Sequence, residues 1–291
     1  MEIRVLRYFL AVAQEESITK AASVLHITQP TLSRQLADLE EETGTALFER
    51  GKRKLELTDA GRLLKQRAEE IVSLADKTMA DLSGGYEEVS GIVSIGCGEL
   101  KAMELLSKAA AAFHEQYPDV QFEFYTENSD AIRNQMETGL IDIGLLLEPG
   151  SLERYAFVRL NQKEQWIAAV RTTHPLAEKD CITADDLKGI QLVLPARSEI
   201  RGVFEKWYGD REAIESPYIC NLGTNACVIA ASTESAAIVI DSSLPMTDEY
   251  EMKALPLNPP LSSDIYLVWK KSAVQSNAVK KFIEFVNAFE A

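Results

Sequence analysis

The sequence has no uninterrupted apolar run near the ~18 residues that a membrane-spanning helix needs, so no membrane partner is expected. Glu2, Arg4 and Arg7 interrupt the apolar pattern at the amino end, whereas an export signal keeps its charges ahead of an unbroken apolar stretch. Cysteine is scarce: Cys97, Cys181, Cys220 and Cys227 are scattered without zinc-ligand spacing and are expected to be reduced thiols of a cytoplasmic protein. The three histidines, His26, His114 and His174, join no zincin or triad-like pattern. Gly96-Cys97-Gly98 follows an expected strand and precedes an expected helix, but Lys101 stands where a dinucleotide fingerprint needs its third glycine. No phosphate-loop motif is present. These absences point away from an enzyme and leave no cofactor or metal to expect. Basic residues are also short, 30 Lys and Arg against 45 Asp and Glu for a formal net charge of −15, which taken alone disfavours nucleic acid.

What is present alters that picture. A chain of 291 residues with 46% hydrophobic and 26% charged residues is globular, and its length suggests about two domains with a small appendage. Its charge is uneven. Residues 1–58 hold 8 basic and 9 acidic side chains, and residues 59–88 hold 4 and 7, which leaves −11 for residues 89–291. Four of the first eight cations are Arg50, Lys52, Arg53 and Lys54, a basic cluster able to grip phosphate on an otherwise acidic protein.

Ile3, Leu6, Phe9, Leu10 and Ala13 recur at helical spacing. Ser17 can cap a short helix over residues 18–25, with Ala21 and Ala22 where close packing needs small side chains. Thr28 or Gln29 can cap a third helix over residues 30–42, which Pro30 opens without cost and Gly44 ends. Leu32, Leu36 and Leu39 face inward in that helix, and Thr31, Ser33, Arg34 and Gln35 face out. Residues 46–50 and 53–57 read as a hairpin about Gly51, with the basic cluster at its tip. Three amphipathic helices alone would suit any small helical subdomain. The order of short helix, tight turn, Pro-started helix and basic hairpin suits a winged helix-turn-helix.

The residues LRYFLAVA at 6–13, SITKAA at 17–22, LHITQPTLSRQL at 25–36, Leu39-Glu40, Gly44, LFER at 47–50 and LTDAG at 57–61 resemble, in register, the signature of the LysR-type transcriptional regulators. The resemblance implies an N-terminal winged helix-turn-helix, a long linker helix that dimerises, and a two-lobed effector domain like a periplasmic binding protein. Its implied partners are double-stranded operator DNA, a small-molecule effector and a second subunit, with dimers of dimers expected. Contacts to DNA are expected from Thr28, Gln29, Pro30, Thr31, Ser33 and Arg34 on the third helix, and from Arg50, Lys52 and Arg53 on the wing. Arg34 is able to make bidentate bonds to guanine.

Leu64, Ala68, Ile71, Ala75, Thr78 and Leu82 form a heptad seam in a helix over residues 59–88, which could reach ~45 Å. From residue 91 strands and helices alternate, in the pattern of a doubly wound parallel sheet. The expected domains are 1–58 for DNA, 59–88 for the linker and 89–291 for the effector, with lobe 1 about 89–160 and 265–291 and lobe 2 about 161–264. Loops at strand ends beside helix N-termini then line an inter-lobe cleft. They offer Gly98, Glu99, Lys101, Thr126, Asn128 and Ser129 from lobe 1, and Arg197, Arg201 and Thr224 from lobe 2. Many family members carry a hydroxyl where Glu99 stands. A carboxylate there repels an anion that Lys101, Arg197 and Arg201 attract. The expected compromise is a small zwitterion or hydroxylated acid, its donor end at Glu99 and its anionic end at an arginine or helix N-terminus. Two alternatives are a redox-sensing regulator using Cys220 and Cys227, although both cysteines suit the core, and a cytoplasmic solute-binding protein, which would leave residues 1–61 without a role.

Overall fold

The computed structural model describes residues 1–50, 54–83, 89–147, 152–209, 214, 216–244 and 250–290. The side chain of Arg50, and Lys52 and Arg53, which were expected on the wing, lie outside that description. The chain divides into two compact units, Met1–Gly85 and Tyr86–Ala291. Among the described residues no helix is long and apolar enough to cross a membrane.

The first unit contains α1 (Ile3–Glu15), α2 (Ile18–Val24), α3 (Gln29–Thr43), a hairpin of β1 (Phe48–Arg50) and β2 (Leu55–Leu57), and α4 (Asp59–Ser83). Local chemistry sets the boundaries. The Ser17 hydroxyl accepts from the Lys20 amide to start α2, and the Thr28 hydroxyl accepts from Thr31 to start α3 ahead of Pro30. Gly44, at φ 68°, ends α3 in the left-handed conformation that glycine adopts without strain. Leu6, Phe9, Leu32, Leu36, Leu39 and Leu47 fill the core, and the Phe9 and Phe48 rings meet at 5.2 Å. One carboxylate oxygen of Glu40 accepts from the amides of Leu47 (2.6 Å) and Phe48 (3.1 Å), fastening the hairpin to α3.

The heptad seam expected along α4 is split by the structure. Ala60, Leu64, Ala68 and Val72 pack into the unit's own core, whereas Leu63, Ile71, Leu74, Met79 and Leu82 are exposed. Leu64 and Ala68 therefore belong to the fold of this unit, and the outward apolar stripe is carried by Leu63, Ile71, Leu74 and Leu82. Arg7 on α1 forms a two-point ion pair with Asp76, one bond of which is 2.9 Å. The bond to Asp76 raises the Arg7 pKa, and the reciprocal bond lowers that of Asp76.

The second unit is built on one mixed nine-stranded sheet among the described residues. Lobe 1 holds β3 (Gly91–Cys97), α5 (Ala102–Gln116), β4 (Val120–Thr126), α6 (Ser129–Thr138), β5 (Ile143–Leu147) and the closing helix α9 (Asn277–Glu290). Lobe 2 holds β7 (Leu192–Pro195), α7 (Ser198–Tyr208), β8 (Tyr218–Cys220), α8 (Gly223–Thr233), β9 (Ala236–Ile240) and β10 (Met252–Pro256). Two strands cross between them, β6 (Tyr155–Arg171) and β11 (Ser262–Lys270). The sheet order is β4-β3-β5-β11-β6-β9-β7-β8, with β10 also paired to β6. The purely parallel pattern expected from the sequence is thus confined to β4-β3-β5 and β8-β7-β9, because the crossing strands pair antiparallel with both sets. Phe113 of α5 meets Phe282 and Phe285 of α9 edge-on at 5.3 and 5.4 Å, which returns the carboxyl end to lobe 1.

A Cβ added at Gly61 would stand 2.1 Å from the Leu47 carbonyl oxygen. Gly61→Ala should therefore destabilise the first unit by about 2–3 kcal/mol, the cost of forcing atoms into a packed site. Calorimetry should show its transition lowered and that of the second unit unchanged; equal melting of both would contradict this.

Candidate functional site

The first unit presents a polar face on α3. Leu32, Leu36 and Leu39 are buried, Thr28, Gln29, Pro30, Thr31 and Arg34 are exposed, and Ser33 is half-buried. His26 sits in the α2–α3 turn at φ 54°, a left-handed conformation that folds the two helices together. The exposed amino end of α3 combines the positive end of the helix dipole, exposed hydroxyl and amide side chains and the Arg34 guanidinium, a combination suited to phosphate and base edges. Lys54, next to the wing tip, is held by Glu16 at 2.6 Å, a bond that raises its pKa.

In the second unit a cleft of about 510 Å³ lies between the lobes. Its floor is apolar, including Leu100, Leu145, Trp166, Leu222 and Ile240. Among the described residues its charged lining is Glu99, Glu127, Asp130 and Glu199 against one cation, Arg197. Of the residues expected here, Gly98, Glu99, Asn128, Ser129 and Arg197 line the cleft. Lys101, Thr126, Arg201 and Thr224 do not, and each has a physical reason. The Lys101 ammonium is drawn into an ion pair with Asp241. Thr126 closes β4 on the exposed sheet edge, where its side chain bonds Cys97. The Arg201 guanidinium turns to the Pro195 carbonyl (3.5 Å) and Glu205 (3.4 Å). Thr224 gives its amide (3.1 Å) and its hydroxyl (2.6 Å) to the two carboxylate oxygens of Glu99.

That last contact takes the α8 N-terminus from an effector's anionic end, whereas α7 begins on the cleft at Arg197 with no side-chain cap. Glu99 already fills the start of α8, and the Asn128 side chain accepts from Asp130 (3.1 Å) and Ala131 (3.0 Å) at the start of α6. Arg197, the cation of the cleft among the described residues, is 16% exposed, with its Nε 3.2 Å from Asp130.

The sequence reading missed Glu164. It lies on β6 where the strand crosses between lobes, is 0% exposed, and accepts from the Lys101 amide at 2.6 Å. Its other oxygen is 2.9 Å from the Ser242 hydroxyl, which is also 2.8 Å from the Glu99 carbonyl. Burial raises the Glu164 pKa, with the charge of nearby Asp241 adding to it, against the bonds from Lys101 and Ser242. The only sequence signal was a carboxylate ahead of the apolar run 166–170, which reads equally as a surface turn.

Of the two cysteines considered for redox sensing, Cys227 does not suit it. Cys227 is fully buried, and burial pushes it up to about 12, with the charges of Glu99 and Cys220 adding to the shift. A sensing thiol needs accessible, electropositive surroundings that favour the thiolate.

Residues 3–62 match the model of the bacterial regulatory helix-turn-helix protein, lysR family, and residues 87–290 match the LysR substrate binding domain. HTH-type transcriptional regulator AlsR of Bacillus subtilis is 33% identical over 198 residues, 68% of this chain and 65% of that protein. A probable RuBisCO transcriptional regulator of Synechocystis sp. is 29% identical over 204 residues, 69% and 59% of the two chains. The matches thus span under two thirds of the length of either relative. The solved structure of full-length CbnR complexed with its target DNA shares the fold, with a TM-score of 0.72, 20% identity and 99% of both chains covered.

The environment of Glu164 has a measurable consequence. A carboxyl whose folded pKa lies above its unfolded value contributes stability at low pH that is lost as pH rises through the folded value. Glu164→Gln keeps an acceptor for the Lys101 amide and gives the Ser242 oxygen a donor. It should melt above the wild type at neutral and higher pH, the gain fading as pH falls through the carboxyl range. A gain that does not change with pH, or a loss at neutral pH, would show that the charged form is not under strain.

Proposed function

The chain belongs to the LysR family of DNA-binding transcriptional regulators, and on that premise we propose that α3 and the hairpin bind operator DNA while a small molecule in the inter-lobe cleft modulates that binding. The observation that carries the reading is the two-sided α3: a leucine face locked in the core and an exposed Thr28-Gln29-Pro30-Thr31-Arg34 face at its amino end. Such a helix enters the major groove with its first turns against base edges. Arg34 reads guanine through two parallel N–H bonds, and Gln29, Thr31 and Ser33 supply further base or phosphate contacts. Thr28 and the first amides of α3, with Pro30 setting the helix entry, position it on the backbone. Arg50, Lys52 and Arg53 act from the wing on the backbone or minor groove. The near-neutral charge of residues 1–58 permits this contact, and the acidic remainder suppresses non-specific binding.

The outward stripe of Leu63, Ile71, Leu74 and Leu82 on α4 is proposed to pair two subunits, and dimers to pair again. Effector binding shifts the population of lobe arrangements, and through the paired subunits the placement of their DNA-binding units. Gly98, Asn128, Ser129 and Arg197 are the proposed effector contacts, with Glu99 at the cleft edge. A solute-binding protein would need the cleft but not the first unit, so that reading is not favoured.

Arg34→Ala should weaken binding to an operator selected from random duplexes by about 1–3 kcal/mol and relax preference at one base position. Lys52→Ala should weaken all sequences alike and flatten the salt dependence. Fluorescence anisotropy across a salt series separates the two, and unchanged discrimination in Arg34→Ala would move the reading surface elsewhere. Ile71→Asp would bury an unpaired carboxylate in the subunit seam, costing several kcal/mol. Sedimentation should show it dissociated with the second unit still folded, whereas an unaltered assembly would take the stripe out of the interface.

A further inference from the structure

Two helices begin at the meeting of the lobes, and each is capped from the opposite lobe. Glu164 on the lobe 2 side of β6 accepts from the Lys101 amide at the start of α5 in lobe 1, at 2.6 Å. Glu99 of lobe 1 accepts from the Thr224 amide at the start of α8 in lobe 2, at 3.1 Å, and from the Thr224 hydroxyl at 2.6 Å. The turn after β9 tightens the same junction, with the Ser242 hydroxyl 2.8 Å from the Glu99 carbonyl and the Lys101 ammonium paired to Asp241. A helix N-terminus of this kind attracts an anion through its free amides and dipole. Here the anion is already part of the chain.

We propose that Glu99 is a specificity-determining residue of the cleft: its carboxylate is a tethered anion that occupies the α8 N-terminus, bridges the lobes without an effector, and closes that end of the cleft to anionic effectors. The inference rests on the reading of the cleft as an effector site for its last clause; the tethered-anion geometry stands without it. An effector entering this cleft meets apolar walls and Arg197, and does not gain the α8 amides. Its class follows: an apolar-bodied molecule whose one anionic group, if it has one, pairs with Arg197 at the start of α7, while small acids that depend on the α8 N-terminus are excluded.

The test is rescue by a free carboxylate on the full-length chain. Glu99→Ala should raise hydrogen exchange at the Thr224 amide by about tenfold or more, the fold-change expected for losing a charge-assisted bond. It should also lower the melting temperature of the second unit. Sodium acetate, compared with sodium chloride at equal ionic strength and pH, should reverse both changes saturably in Glu99→Ala and do nothing to the wild type. Glu99→Gln retains the bulk and fills the space; it should show faster exchange at Thr224 with no acetate response, and it serves if Glu99→Ala does not fold. Unchanged exchange in the folded variants, no acetate effect on Glu99→Ala, or equal stabilisation of wild type and variant by acetate would overturn the proposal. No effector enters these measurements. A thermal-shift screen of metabolites in which none binds the wild type would overturn the effector reading and leave the rescue result in place.

Discussion

The hydrogen bonds of β6 hold the second unit together, because this one strand of 17 residues belongs to both lobes. Its first part pairs with β11 through Tyr155–Arg159, and its last part pairs with β9 and β10 through Trp166–Arg171. Between them the β11 register shifts between Asp264 and Tyr266, and Arg159 and Lys163 both reach Asp264, at 2.8 and 3.2 Å. Burial pushes the Asp264 carboxyl up, but the two cations outweigh it and the net shift is downward. A strand that is continuous through both lobes permits bending at its irregular middle and forbids separation. The cleft, the facing helix ends and the buried Glu164 all take their positions from that constraint.

Charge in this unit is arranged inward as well as outward. The acidic excess is mostly a solvated surface, but Glu99 and Glu164 are spent on backbone amides at helix starts, where a negative charge is favourable. Glu164 shows the opposing terms clearly. Its amide and hydroxyl contacts favour ionisation, while burial and Asp241 oppose it, and the second pair prevails. The cleft is consequently an acidic, apolar-floored space with Arg197 as its cation, rather than the cationic space that Lys101 and Arg201 would have made it.

Much of the first unit was legible because its signals are local. Ser17, Pro30 and Gly44 each act on the backbone within a few residues, and α2 and α3 begin and end where those residues place them, to within a residue or two. The second unit's elements were legible in kind, yet β10 and the first half of β6 were not. Residues 155–165 run from the apolar 155–158 to the wholly polar 161–165 without alternation, and they pair with a strand about a hundred residues later, which no local pattern reports. The cleft residues divided the same way. Gly98, Glu99, Asn128, Ser129 and Arg197 stand at the strand-end loops that line the cleft, where topology alone puts loops. The rotamers that took Lys101, Arg201 and Thr224 elsewhere depend on partners such as Asp241 and Glu205, and Glu99 meets Thr224 across 125 positions of chain.

The two faces of α4 mean that neighbouring positions on one helix answer to different selective demands. Ala60, Leu64, Ala68 and Val72 are constrained by the interior of their own unit, and Leu63, Ile71, Leu74 and Leu82 are not. A substitution scan along the helix therefore carries two interleaved phenotypes at helical period, one in which the unit loses its fold and one in which the fold survives. In a lineage drifting away from this sequence, the first set tracks the volume of the helix-turn-helix core. The second set is free to vary with whatever surface it meets, so the dividing line between variable and invariant positions runs lengthwise down the helix rather than across it.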